Sequence, residues 1–155
     1  MNKKILVVYY SRSGNTKKIG DEITKKIKAD RDEIIDLKDR KRFIVGWLIS
    51  GKDAVQEKTT EIKFKKDPSR YDLVIIGSPV WAWTITPAIR KYLTENKFKK
   101  VAFFATCGSQ FGKTFSEMQK LSKKPVAILG LNEKEVKSGN YSEKMKEFIG
   151  GLAEN

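Results

Sequence analysis

The stretch Asp72-Leu73-Val74-Ile75-Ile76-Gly77-Ser78 constrains the fold more than any other segment of the chain. A strand with one wet face alternates apolar and polar residues, and this run is nearly continuously apolar. It suits a strand covered on both faces, as in a parallel sheet between helices. Lys4–Tyr10 and Val101–Thr106 also read as strands, with shorter ones at Asp32–Leu37 and Pro125–Leu131. Helical spacing fills the gaps. Asn15 to about Ala29 carries Ile19, Ile23 and Ile27 on one stripe. Thr86-Pro87 opens a second helix, with threonine suited to the N-cap and proline to the first helical position. Thr114-Phe115-Ser116-Glu117 reads as a capping box for a helix with the stripe Phe115, Met118 and Leu121. A last helix runs from about Ser142, with Tyr141, Met145, Phe148, Ile149 and Leu152 on one face. A short helix is expected over Phe43–Ser50. Residues 52–70 read as irregular, with Ile62 and Phe64 docking on the core.

Five βα units of this length imply an α/β fold, an open, doubly wound parallel sheet with helices on both faces. The 155 residues suit a single domain spanning 1–155, with no repeat or low-complexity tract to divide it. Ligands in such sheets bind beyond the carboxyl ends of the strands, where the winding direction reverses. The loops there are 11–16, 78–86 and 106–113. They hold Trp81, Trp83 and the only cysteine, Cys107, and no Asp or Glu. An acid-free rim with aromatics suits a flat, electron-rich, anionic ligand.

Composition excludes several chemistries. The chain has no histidine, which removes Ser-His-Asp and Cys-His catalysis and histidine-bearing zinc sites. One cysteine forms no internal disulfide and holds no thiolate metal cluster, in keeping with a reducing compartment. Without a histidine to activate it, Cys107 reads as a small apolar residue and not a nucleophile. The longest apolar run, Ile5–Tyr10, is too short to cross a bilayer and short for a signal-peptide core. A soluble cytoplasmic protein without membrane insertion is the expectation. Lys and Arg number 32 against 19 Asp and Glu, a net charge of +13. That balance favours anionic partners, or else reflects a solvated lysine-rich surface. The lysines form no aromatic-interleaved stripe, so nucleic acid is not the expected partner.

Ser11-Arg12-Ser13-Gly14-Asn15-Thr16, between the first strand and the first helix, reads as an anion cradle. Backbone N–H groups converge there and the helix N-terminus adds positive partial charge. Gly14 permits a backbone shape that lets several amides face one phosphate. Ser11, Ser13 and Thr16 would donate hydroxyl hydrogen bonds and Asn15 an amide one. Arg12 adds charge there or turns to solvent. A Ser/Gly turn that merely caps the helix needs one hydroxyl, and three are present. Gly108-Ser109-Gln110-Phe111-Gly112-Lys113-Thr114 mimics an ATP-binding loop, but has three residues between its glycines where that motif has four. A phosphoacceptor receiver needs an aspartate at the end of the third strand, where Gly77-Ser78 stands.

The spacing Ser11-x-Ser13-Gly14-x-Thr16 resembles the phosphate-loop signature of the flavodoxins. Gly77-Ser78-Pro79-Val80-Trp81 resembles the loop of flavodoxin-like proteins that passes beside the flavin ring, and Thr106-Cys107-Gly108-Ser109 stands where their other ring-flanking loop lies. The resemblance extends over the whole chain in element order. It implies the sheet order 2-1-3-4-5 that flavodoxin exemplifies, with FMN at the switch point. It also implies cofactor contacts from Ser11, Arg12, Ser13, Gly14, Asn15 and Thr16, from Ser78, Pro79, Val80, Trp81, Ala82 and Trp83, and from Thr106, Cys107, Gly108 and Ser109. Trp81 and Trp83 would sandwich or edge the isoalloxazine, unless one of them packs in the core; Trp81 is the favoured ring contact. No side chain need act as acid or base. The function implied is electron transfer between redox partner proteins, with a quinone, nitro or azo reductase on the same fold as the alternative. Familiar flavodoxins are acidic and this chain is basic, so partners with acidic surfaces are expected for a monomer or weak dimer. The basic segment Lys38–Arg42, followed by Phe43–Trp47, also departs from the acidic pattern.

Overall fold

The computed structural model describes residues 3–38 and 60–154. The helix expected over Phe43–Ser50, the segment 39–47 and residues 52–59 therefore lie outside the described residues. The elements run β1 (Ile5–Tyr9), α1 (Asn15–Ile27), β2 (Asp30–Glu33), β3 (Ile35–Asp36), β4 (Ile62–Lys63), β5 (Leu73–Pro79), α2 (Pro87–Glu95), β6 (Val101–Cys107), α3 (Thr114–Leu121), β7 (Ile128–Asn132), α4 (Glu133–Ser138) and α5 (Ser142–Ala153). The main sheet has the order β2-β1-β5-β6-β7 with every pair parallel. Counted by sheet strands alone, this is the expected 2-1-3-4-5.

Alternate residues of each inner strand face opposite layers. Leu6, Val8, Val74, Ile76, Val101 and Phe103 join Ala88, Ile89, Tyr92 and Leu93 of α2 and Met118 of α3 in one core. Val7, Tyr9, Leu73, Ile75, Ala102 and Phe104 join Ile19 and Ile23 of α1, Val136 of α4, and Met145, Phe148 and Leu152 of α5 in the other. Both cores exclude water, which explains the unbroken apolar runs. Ile62 and Phe64 do pack against the first core, and the Phe64 ring meets Tyr92 edge-on at 5.0 Å.

Three expectations need correction. The second strand lies at Asp30–Glu33, not Asp32–Leu37. As an edge strand, β2 tolerates the charged run Asp-Arg-Asp-Glu. Past it, buried Ile34 turns the chain out of the sheet, and β3 pairs antiparallel with β4. The ordered ladder of the fifth strand starts at Ile128 rather than Pro125, whose nitrogen cannot donate. Finally, Thr114 is the first helical residue of α3, not its cap. Its hydroxyl donates to the Phe111 carbonyl, and Lys113 holds the cap position without a side-chain capping bond to the helix. The real capping box is Asn132-x-x-Glu135. Asn132 accepts from Glu135 N at 2.8 Å and its own N–H donates to Glu135 at 3.1 Å, opening the unexpected helix α4.

Two glycines let α1 and β6 close onto the central strands. A Cβ on Gly20 would fall 2.5 Å from the Tyr9 ring, and one on Gly77 would fall 2.1 Å from the Phe104 ring. Gly77→Ala therefore overpacks the core and is expected to cost about 2–3 kcal/mol. At Gly150, inside α5, an added methyl would meet nothing within 4 Å, and Gly150→Ala should stabilise by about 0.5–1 kcal/mol through helix propensity. Urea denaturation of the two variants checks both signs.

Candidate functional site

The parallel register brings the carboxyl ends of the strands to one level. Tyr9 pairs with Gly77, Pro79 with Thr106 and Cys107 with Asn132. The loops that follow enclose a cleft of about 350 Å³ lined by Arg12, Ser13, Asn15, Pro79, Val80, Trp81, Thr106, Cys107, Gly108 and Glu133. That volume lies within the range of small-molecule sites.

The first wall is the start of α1. Gly14 holds φ 101°, a left-handed conformation that a side chain disfavours, and bends the chain into the helix. Ser11 is buried, and its oxygen accepts the N–H groups of Gly14 (3.2 Å) and Lys17 (3.1 Å). It fixes the loop from inside, leaving its own proton to donate. The N–H groups of Asn15 and Thr16 open the helix and have no carbonyl one turn earlier to bond. Thr16 does not face the cleft. It is buried, and its hydroxyl meets that of Thr106 at 2.8 Å, which ties the first loop to the end of β6.

The second wall is built by a tight hairpin. Trp81 and Thr84 exchange both backbone hydrogen bonds, 3.0 and 3.1 Å, around Ala82 (φ 49°) and Trp83 (φ 64°). Trp81 is buried on the cleft wall, edge-on to Tyr10 at 5.7 Å, and the Arg12 guanidinium lies over its ring at 5.3 Å. Arg12 thus turns inward to the cleft. Trp83 is 62% exposed and is not part of the cleft lining. Ser78 is fully buried and donates to the Pro79 carbonyl at 2.7 Å. Ala82 and exposed Ser109 also stand off the lining.

The third wall is Thr106-Cys107-Gly108. Burial, reinforced by the negative charge of Glu135, pushes the Cys107 thiol up from its ordinary range, so it stays protonated near neutral pH. Gly108 would carry a Cβ into open space, where it would narrow the cleft. The rim is not acid-free. Glu133, first residue of α4, lines the cleft and pairs with Lys137 at 2.8 Å. The three motif-bearing loops all precede β7, so they do not reach it. The Asn132-x-x-Glu135 pattern, which opens a helix at the carboxyl end of the last strand, is the sequence signal that points there.

Hydrogen-bond donors at one end, a buried indole in one wall and a glycine in another suit a planar ligand with an anionic end. Known proteins agree with that reading. The sequence model of the flavodoxin family matches residues 4–150. A flavoprotein from Lactobacillus acidophilus, solved in complex with FMN, is 26% identical with a TM-score of 0.68, covering 91% of this chain and 99% of that one. Two others share the fold. Oxidised flavodoxin 2 from Bacillus cereus is 22% identical with a TM-score of 0.57, over 97% of this chain and 98% of that one. Two-electron reduced flavodoxin from Megasphaera elsdenii is 18% identical with a TM-score of 0.58, over 97% and 99%. None of the curated proteins matches.

The Thr16–Thr106 bond makes its own prediction. Thr16→Val strands a buried hydroxyl on Thr106 and should cost about 1–3 kcal/mol, whereas the double variant Thr16→Val/Thr106→Val should recover most of that loss. Equilibrium unfolding in urea measures the coupling.

Proposed function

The chain belongs to the flavodoxin family, and on that premise we propose that it binds FMN non-covalently and carries electrons between partner proteins. The observation that carries this reading is the cleft itself, with the amide and hydroxyl cradle at Ser11–Thr16 beside the buried Trp81. FMN fits that donor set. Its phosphate matches the first-turn amides of α1, the hydroxyls of Ser11 and Ser13 and the charge of Arg12. Its flat ring matches the slot between Trp81 and Gly108. Bound FMN supplies one- and two-electron redox chemistry.

The protein's own residues do the rest. Arg12 and the amides of α1 hold the anionic end. Trp81, packed edge-on against Tyr10, presents a fixed aromatic surface, worth roughly 0.5–1.5 kcal/mol beyond its buried area. Protonated Cys107 adds a neutral, apolar contact. None of the lining side chains is set up as a nucleophile or a general base. Such a site suits an electron carrier, whose rate depends on docking and not on proton transfer from the protein. The net charge of +13 favours partners with acidic faces.

The purified protein should bind added FMN and take on the visible flavin spectrum; material that stays colourless with excess FMN would sink the reading. FMN-loaded protein should remain yellow in NADPH, and rapid catalytic turnover with a quinone would identify a reductase instead.

Cationic surroundings also favour the negative charge that arrives with the electrons. One cation at about 8 Å, with an effective dielectric near 20, contributes roughly 2 kcal/mol before salt screening, on the order of 90 mV for one electron. The potential for the second electron should therefore be less negative than in acidic flavodoxins. Arg12→Gln should make it more negative, and Glu133→Gln less so, each by tens of millivolts (roughly) in a spectroelectrochemical titration at low salt.

A further inference from the structure

We propose that the buried Arg90–Glu117 ion pair is a positioning device that sets the width of the slot between Trp81 and Gly108. The inference rests on the FMN reading above and deepens it.

Each partner sits in the first turn of the helix that follows one of the two loops. Arg90 N donates to the Thr86 carbonyl at 3.0 Å, so Arg90 answers to the residue that closes the Trp81 loop. Glu117 N donates to the Lys113 carbonyl at 2.9 Å, so Glu117 answers to the residue that closes the Gly108 loop. Their side chains, 7% and 11% exposed, meet at 3.1 Å between Nη1 and Oε2. The same loops are joined twice more at their tips. Lys113 N donates to the Trp83 carbonyl at 2.8 Å. Gly112, at φ 55°, lies so close that a Cβ there would stand 2.3 Å from that carbonyl oxygen. Three ties thus make one rigid unit of two loops that approach the cleft from different strands.

Stability alone does not account for the pair. Nε and Nη2 of Arg90 are buried without a hydrogen-bond partner among the described residues. A guanidinium desolvated with most of its donors unused repays little of its burial cost, and two apolar side chains would serve the core as well. What apolar side chains would not supply is a directional, fixed-length link between α2 and α3. A planar ligand gripped between two walls is sensitive to that distance.

The test compares wild type with Arg90→Met/Glu117→Leu and, independently, with Glu117→Asp, which keeps the charge of the pair and shortens the link by one methylene. Riboflavin and FMN binding are read by flavin fluorescence, and inorganic phosphate by its competition with FMN. Riboflavin and FMN should both weaken about tenfold in each variant while phosphate binding holds within about twofold, because the Ser11–Thr16 cradle is untouched. Unchanged flavin affinity in Glu117→Asp, or in a double variant that unfolds at the wild-type urea concentration, would overturn the proposal. So would equal weakening of all three ligands, the signature of a merely structural role. If the double variant does not fold, Glu117→Asp decides alone. A wild type that binds FMN while its variants do so equally well refutes only the device; a wild type that binds no flavin refutes the FMN reading and the device with it.

Discussion

The structure depends on how closely α1 lies on the sheet. Gly20 removes the one Cβ that would strike Tyr9, and the Phe104 ring fills the space beside it and over Gly77. Dispersion and hydrophobic burial then hold helix and sheet at a distance no larger side chain would allow. The N-terminus of α1 consequently stands directly over the carboxyl ends of β1 and β5. Ser11 locks the turn that joins them, and Thr16 reaches β6 through Thr106. The position of the Ser11–Thr16 loop on the cleft is therefore a consequence of core packing one turn away. The loop chemistry alone would give a helix cap; the close approach turns that cap into the wall of a cleft.

Charge is distributed unevenly with respect to that cleft. The chain as a whole is strongly cationic, yet among the described residues the lining carries one guanidinium, Arg12, and one carboxylate, Glu133. Arg12 is stacked on Trp81, and Glu133 is countered by Lys137, so both signs are anchored. Among the described residues, lysines off the lining act on it mainly through the long-range field, which salt screens within about 10 Å. Local chemistry and global charge can thus vary separately. Shape and hydrogen bonding belong to the cleft, while a net charge of this size sets a field over the whole surface.

The sheet and most of the cleft were legible in the sequence because they rest on strong, short-range signals. Continuous apolar runs report burial on both faces, and the Ser/Gly/Thr spacing reports a tight turn into a helix start on the cleft. The misreadings share a different origin. Thr114-x-x-Glu117 has the composition of a capping box, but Glu117 is drawn inward by Arg90, a contact 27 residues away that spacing does not encode. The charged segment Asp30–Glu33 hides an edge strand whose register is set by β1 and not by its own pattern. Glu133 lies outside the three motif-bearing loops; the Asn132-x-x-Glu135 box marks a helix start there, but its place in the cleft depends on where β7 ends relative to Cys107. In each case tertiary pairing overrode a local preference.

The two tryptophans show the same division. From composition alone, Trp81 and Trp83 are equivalent candidates for an aromatic wall. The hairpin separates them. Two consecutive non-glycine residues, Ala82 and Trp83, adopt left-handed backbone angles between the paired residues Trp81 and Thr84. Turns of that kind ordinarily use Asn-Gly, and each such residue costs on the order of 1–3 kcal/mol unless its surroundings offset it. Here the Trp83 carbonyl accepts the Lys113 N–H and rests against Gly112, where no side chain interferes. The turn carries the Trp83 indole out to solvent and leaves Trp81 pinned against Tyr10. Backbone strain, held in place by the neighbouring loop, decides which indole lines the cleft.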